Sequence, residues 1–165
     1  MKKKQLSATE RILLFAKKTN LSYARFVFFI LVSGMPTISK SQVIGGGNDH
    51  SVALCSDGTL RSWGGDIEGE LGNNAALADQ PTPVAVATLT GITAIGAPGS
   101  GAHTLALKND GTVWSWGFDW AGQLGNNAAL VDQPTPVAVA TLTGIIAVAA
   151  GEAHSLALDN TGKVW

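Results

Sequence analysis

Three histidines, His50, His103 and His154, recur at offsets of 53 and 51 residues. Imidazole is a common metal ligand, so a repeated histidine raises the question of a metal centre. Each histidine, however, opens the same local segment (His-Ser-Val-Ala-Leu, His-Thr-Leu-Ala-Leu, His-Ser-Leu-Ala-Leu). Recurrence in every copy favours a structural role, with the ring satisfied by backbone, over a metal. Asp66, Glu68 and Glu70 alternate along one short stretch and offer oxygen donors of the kind calcium takes. Their counterparts are Asp119, Ala121 and Gln123, so the cluster is not repeated and reads as a solvated acidic loop. Gly45-Gly-Gly47 lacks the following Gly-Lys-Ser/Thr of a phosphate loop and reads as a link between units. Cys55, the single cysteine, excludes an intrachain disulfide and has no base patterned beside it, so a nucleophilic role is not expected. No catalytic, cofactor-binding or metal-binding residue is assigned. Trp120, in a segment of turn residues, is the foremost candidate for contact with a partner, because exposed tryptophans often anchor interfaces. Asp119, Asp66 and Glu68 share those segments and are candidates with it.

The elements that must carry these residues are legible from a duplication. Leu71–Ile92 recurs as Leu124–Ile145 with one difference in 22 positions, Ala78 against Val131. A third copy starts at Gly151. A period near 50 residues with strand-like content points to a propeller or a similar array. Within each copy a hairpin is expected about Asp57-Gly58, Asp110-Gly111 and Thr161-Gly162. A two-residue Asp-Gly link predicts a type I′ turn. That register sets Leu107 opposite Trp114 and Leu105 opposite Trp116, gathering leucine and tryptophan on one face. It also sets Val52 opposite Trp63, Leu54 opposite Arg61 and Leu158 opposite Trp165. Thr135–Leu142 forms a further strand, held at an edge by Pro134 and Pro136, which lack a backbone N–H. Ile145–Ala149 forms a fourth. Trp63, Trp114 and Trp116 are assigned to the core.

These motifs resemble the regulator of chromosome condensation repeat. Ala102-His-Thr-Leu-Ala-Leu107, Asp110-Gly-Thr-Val-Trp-Ser-Trp-Gly117, Gly122-Gln-Leu-Gly125, Pro134 and Val137 match its blade pattern in order, and the match runs from about Val43 to Trp165. On this resemblance, His50, His103, His154, Asp57, Gly58, Asp110, Gly111, Trp63, Trp116, Gly69 and Gly122 are structural repeat positions. The first copy departs from the pattern at Arg61, Gly65, Ile67 and Glu70, where the second has Trp114, Phe118, Trp120 and Gln123. A kelch propeller has a similar period, but its Gly-Gly pair is present only at Gly64-Gly65. The expected fold is all-β, with antiparallel four-stranded blades in an incomplete propeller ring. Repeats span about 43–95, 96–147 and a truncated 148–165, so the chain reads as a fragment or as a piece that closes a ring by oligomerising.

Charge separates this body from what precedes it. Residues 1–40 hold eight Lys/Arg and one Glu, whereas residues 41–165 hold three Lys/Arg and eleven Asp/Glu. Basic residues before a short apolar run, Phe26–Val32, predict a signal peptide or basic leader over 1–41, cleaved before Gln42, and a secreted or cell-surface protein. The run is too short to span a bilayer, so no stable membrane span is expected in the mature chain. The acidic body disfavours nucleic acid. The expected function is non-enzymatic binding of another protein. The resemblance implies two alternatives, nucleotide exchange on a small GTPase and a propeller lyase or hydrolase. The same superfamily includes a secreted bacterial inhibitor of β-lactamases.

Overall fold

The computed structural model describes residues 43–97 and 99–165. The leader, its cleavage point and its apolar run lie outside the described residues. Among the described residues, ten strands form three antiparallel sheets. The first blade contains β1 (Val43–Gly46), β2 (His50–Leu54), β3 (Leu60–Gly64) and β4 (Gln80–Ala85), paired in that order. The second contains β5 (Ile92–Gly96), β6 (His103–Lys108), β7 (Val113–Gly117) and β8 (Gln133–Ala138), again in order. β9 (Ile145–Ala150) and β10 (Ser155–Asp159) form the third sheet. The expected all-β, blade-by-blade architecture is therefore present.

Two expectations need correcting. Ile145–Ala149 does not complete the second blade. As β9 it pairs only with β10 and opens the third sheet. In the same way Ile92–Gly96 opens the second, so repeat boundaries at 95/96 and 147/148 fall inside strands.

The hairpin register is also displaced by one residue. Ala106 faces Trp114, Thr104 faces Trp116, Leu105 faces Ser115 and Leu107 faces Val113. The link has three residues, Asn109 to Gly111, closed by Lys108 N–H to the Thr112 carbonyl and Gly111 N–H to the Lys108 carbonyl. Only the glycine adopts a positive φ, 78°, which is the bulged three-residue turn rather than type I′. The side chain of Asp110 explains the choice, since its Oδ1 accepts from the Thr112 N–H at 3.0 Å and hydroxyl at 2.6 Å. An aspartate that ties the residue two positions on holds an ordinary turn, with no need for left-handed backbone. The first blade is displaced alike, with Ser51 opposite Trp63 and Ala53 opposite Arg61. In the third sheet Val164 meets Leu158, and Trp165 exchanges both backbone bonds with Ala157.

The shift has a large consequence for packing. A one-residue slip moves alternate side chains to opposite faces. Leucine and tryptophan therefore do not share one face; the second blade is apolar on both. Ala106 and Trp116 pack on Val52, Leu54, Leu60, Val86, Leu89 and Ile92 in one core, between the first and second blades. Leu105, Leu107 and Val113 pack on Ile145 and Ala157 in another, between the second blade and the third sheet. Face-to-face burial of this kind makes each blade depend on its neighbours. The outermost strands, β4 and β8, share the sequence Gln-Pro-Thr-Pro-Val-Ala. Their prolines withhold two N–H donors at the exposed edge, as expected, and discourage further pairing. No helix among the described residues is long and apolar enough to cross a membrane.

Candidate functional site

Two equivalent loops, 65–79 after β3 and 118–132 after β7, carry most of the residues singled out from the sequence. Each is built around one aspartate. Asp119 Oδ1 accepts from the Leu124 N–H at 2.9 Å, and Asp66 Oδ1 accepts from the Leu71 N–H at 3.0 Å. The Gly122 and Gly69 N–H groups return to the Asp119 and Asp66 carbonyls. Ser115 and Ser62 hydroxyls donate to the Leu124 and Leu71 carbonyls. These bonds press both leucines to complete burial. Asp66 and Asp119 are only 1% exposed, and desolvation raises both carboxyls above the usual carboxylate range. Their role is to shape the loops, not to meet a partner. The pattern already carried a sign of this, because the aspartate recurs in both copies while its neighbours Glu68 and Ala121 differ.

The loop is also not the solvated acidic segment expected. Glu70 is buried along with Asp66, and only Glu68 is partly exposed. Glu70 Oε2 accepts from the Glu68 N–H at 3.0 Å, just as Gln123 Oε1 accepts from the Ala121 N–H. Burial pushes the Glu70 carboxyl up to about 7. A carboxyl raised in the folded state costs stability as pH climbs from its unfolded value near 4.5 through 7. Glu70→Gln, which copies the second blade, should therefore stabilise the protein by about 1–2 kcal/mol at pH 8 and by little at pH 4.5. Urea denaturation at the two pH values measures the difference.

His50 and His103 join blades through side-chain partners rather than bonding to backbone. His50 Nε2 lies 2.9 Å from Thr104 Oγ1 of the second blade. His103 Nε2 lies 3.1 Å from Ser155 Oγ of the third sheet. The Ser155 hydroxyl donates to the Gln123 carbonyl at 2.7 Å, so its oxygen is left to accept from His103 Nε2–H. This fixes the tautomer and leaves the buried Nδ1 unpaired. Burial lowers both His50 and His103 to about 4. His154, on the last sheet, is exposed.

Trp116 is the second joint. It is wholly buried, and its Nε1–H donates to the Glu70 carbonyl of the preceding blade's loop at 2.8 Å. The ring lies flush on Gly72, where a Cβ would come within 2.7 Å of the indole nitrogen. Gly72 has φ 60°, so its lack of a side chain serves both the turn and the ring. Trp63 and Trp114, assigned to the core from sequence, are half-buried. Lys108 Nζ lies 5.8 Å from the centre of the Trp114 ring.

Apolar side chains left in solvent concentrate on the same loops. Trp120 is 66% exposed and stacks on Phe118 at 6.5 Å. Leu130 and Val131 of its loop, and Ile67 and Leu77 of the first loop, are exposed as well. Ile67 and Leu77 hold the positions of Trp120 and Leu130, so the pattern is periodic along the array. Sequence reasoning singled out Trp120 and missed the others, although their 53-residue recurrence within segments of turn residues was a usable signal.

Comparison with known proteins agrees with this architecture. Models described as "Regulator of chromosome condensation (RCC1) repeat" match residues 110–158, and residues 43–70 and 92–123. The chain is 40% identical over 118 residues to the probable E3 ubiquitin-protein ligase HERC6 of Homo sapiens, covering 70% of this chain and 12% of that protein. It is 35% identical over 128 residues to the ultraviolet-B receptor UVR8 of Arabidopsis thaliana, covering 76% and 29%. Among solved structures, Prp20p from Saccharomyces cerevisiae superposes with TM-score 0.63 at 27% identity, covering 74% of this chain and 32% of that one. Human WBSCR16 shares the fold, with TM-score 0.65 at 21% identity over 74% and 32%. The chain thus spans no more than about a third of the length of these relatives.

Proposed function

Because the chain belongs to the regulator of chromosome condensation (RCC1) repeat family, we propose that it is a secreted, non-enzymatic repeat scaffold that binds another protein through its long loops. The observation that carries this reading is the exposed, periodic apolar set Ile67, Leu77, Trp120, Leu130 and Val131 on loops held rigid from within. Large apolar side chains on a rigid frame bind at low entropic cost, and tryptophan is among the residues enriched at the anchors of such contacts. RCC1-like domains bind proteins: one solved relative, yeast RCC1 (Prp20), is bound to Kap60. The buried polar side chains His50, His103, Asp66 and Asp119 are each committed to holding blades or loops, which supports a scaffold rather than a catalyst. Secretion is the reading of the basic leader and its apolar run.

Nucleotide exchange on a small GTPase is a second reading. Its support is the similarity to Prp20p, whose structure is described together with its binding to Gsp1p and histones.

A photo-crosslinking residue placed at position 120 tests the first reading. The full chain, expressed with its own leader, should be recovered outside the cytoplasm beginning at Gln42 and should form one protein adduct of defined mass. Trp120→Ala should abolish capture at a second crosslinking site, position 130, while changing stability by less than about 0.5 kcal/mol. Retention in the cytoplasm with residues 1–41 attached would defeat secretion. Undiminished capture in Trp120→Ala would defeat the loop surface.

A further inference from the structure

We infer that the loop face of the blades docks a basic partner segment in which lysine or arginine alternates with large apolar side chains. The inference rests on the loop surface proposed above and names the chemistry of what that surface binds. It starts from how the strands sort charge. Successive antiparallel strands place the connections 47–49, 65–79, 97–102, 118–132 and 151–154 at one end of the sheets, and the short turns after β2, β6 and β10 at the other. Both ends are tied across blades. The Asn48 N–H donates to the Gly101 carbonyl at the loop end, and the Ile92 N–H donates to the Gly58 carbonyl at the turn end. From Val43 onward the sequence holds three Lys/Arg and eleven Asp/Glu. Arg61, Lys108 and Lys163 all lie toward the turn end, together with Asp57, Asp110 and Asp159. Charges there are balanced, and Lys108 Nζ pairs with Asp110 Oδ2 at 3.3 Å. The other eight acids are at the loop end, whose connections contain no Lys or Arg.

Three of those acids, Asp66, Glu70 and Asp119, are buried in the loop framework. Asp49, Glu68, Asp79, Asp132 and Glu152 reach solvent. Two of these are held in place by the loops themselves. Asp79 Oδ1 accepts from the Asp66 N–H at 3.3 Å, and Asp132 Oδ1 accepts from the Asp119 N–H at 2.9 Å. Each carboxylate thus has one oxygen fixed to the frame and a second able to accept from a partner. These carboxylates stand beside the exposed apolar set. Asp49, Glu68 and Asp79 line one depression together with Ile67. Asp79 and Asp132 follow the exposed Leu77 and Leu130 by two residues, so the pairing of apolar and acidic side chains repeats with the blades. Neighbouring blades do not cover this face. Ile67 and Leu77 are exposed with the second blade packed on one side of theirs, and Trp120 and Leu130 are exposed with the first blade packed on the other side of theirs. An apolar surface set among charges of one sign favours partners of the opposite sign and rejects those of its own. The segment that fits carries cations spaced among apolar anchors.

Calorimetry of the full 165-residue chain with three capped peptides tests this. The peptides are Lys-Leu-Lys-Phe-Lys-Leu, its counterpart with glutamate for lysine, and Lys-Ser-Lys-Ser-Lys-Ser. The first should bind with Kd below ~1 mM, and the other two at least about tenfold more weakly. Raising sodium chloride from about 50 to about 500 mM should weaken the first at least about threefold. Asp79→Asn combined with Asp132→Asn should weaken it at least about threefold at low salt. The far-ultraviolet circular dichroism spectrum should not change, because asparagine keeps the Oδ1 acceptor that closes each loop. Absence of binding at about 2 mM peptide would overturn the proposal. So would undiminished binding to the folded double variant. Equal binding of the glutamate peptide, or binding indifferent to salt, would overturn the basic partner and leave the apolar loop surface standing. Equal binding of the serine peptide, or undiminished binding to Trp120→Ala, would defeat the loop surface itself and the proposal with it.

Discussion

Trp116→Ala should cost about 3–5 kcal/mol, the largest loss from any single truncation in the described array. Three effects add in the same place. The indole is completely enclosed and fills the first inter-blade core. Its removal leaves a void beneath Gly72 that the rigid loop cannot collapse into, and unfilled volume adds to the lost transfer free energy. The Glu70 carbonyl also loses its donor. Trp116→Phe separates the contributions. It keeps most of the ring volume and should cost about 1–2 kcal/mol, chiefly the missing N–H. Equilibrium unfolding in urea, followed by circular dichroism, reads both. Equal losses in the two variants would mean that the hydrogen bond, and not the volume, holds the blades together.

The second large effect is on acid stability. His50 and His103 are neutral in the folded protein and titrate near 4, while the unfolded chain takes up a proton near 6.5. Between those values the unfolded state binds more protons, so stability falls as pH falls. Each histidine contributes a slope of ~1.4 kcal/mol per pH unit inside that window. The cause is burial: a second proton would go to an Nδ1 that has no acceptor in the folded protein. Glu70 acts with the opposite sign over part of the same range, because its raised carboxyl takes a proton earlier in the folded state. The measurement is therefore a difference. Replacing both histidines with glutamine should flatten the pH dependence of the unfolding free energy between pH 6.5 and 5 by about 2–3 kcal/mol per unit relative to the parent. An unchanged slope would show that neither ring is held neutral.

How much of this was readable beforehand depends on what each residue touches. Repetition alone exposed the strand content, the blade period and the proline-marked edge, because those follow from local alternation and from chemistry within a few residues. The hairpin register did not follow. Asp110-Gly111 is compatible with two turns, and Asp110 bonding to Thr112 selects the longer one. That one-residue difference decides whether leucine and tryptophan share a face or serve separate interfaces. His50 and His103 reach across to side-chain hydroxyls of the next sheet, not to the backbone expected from sequence. Thr104 and Ser155 lie 54 and 52 residues further on, beyond the reach of any local pattern. The candidate surface divided along the same line. Trp120 faces solvent, with its ring stacked on Phe118 of the same loop. Asp66 and Asp119 went inward because the backbone N–H groups of Leu71 and Leu124, five residues on, needed an acceptor.

The bond from Trp116 to the Glu70 carbonyl also has a direction in time. The receiving loop precedes the indole by 46 residues. A ribosome therefore delivers the socket before the plug, and each new hairpin emerges to find its carbonyl and its glycine platform already made. At this joint the acceptor is synthesised before its donor.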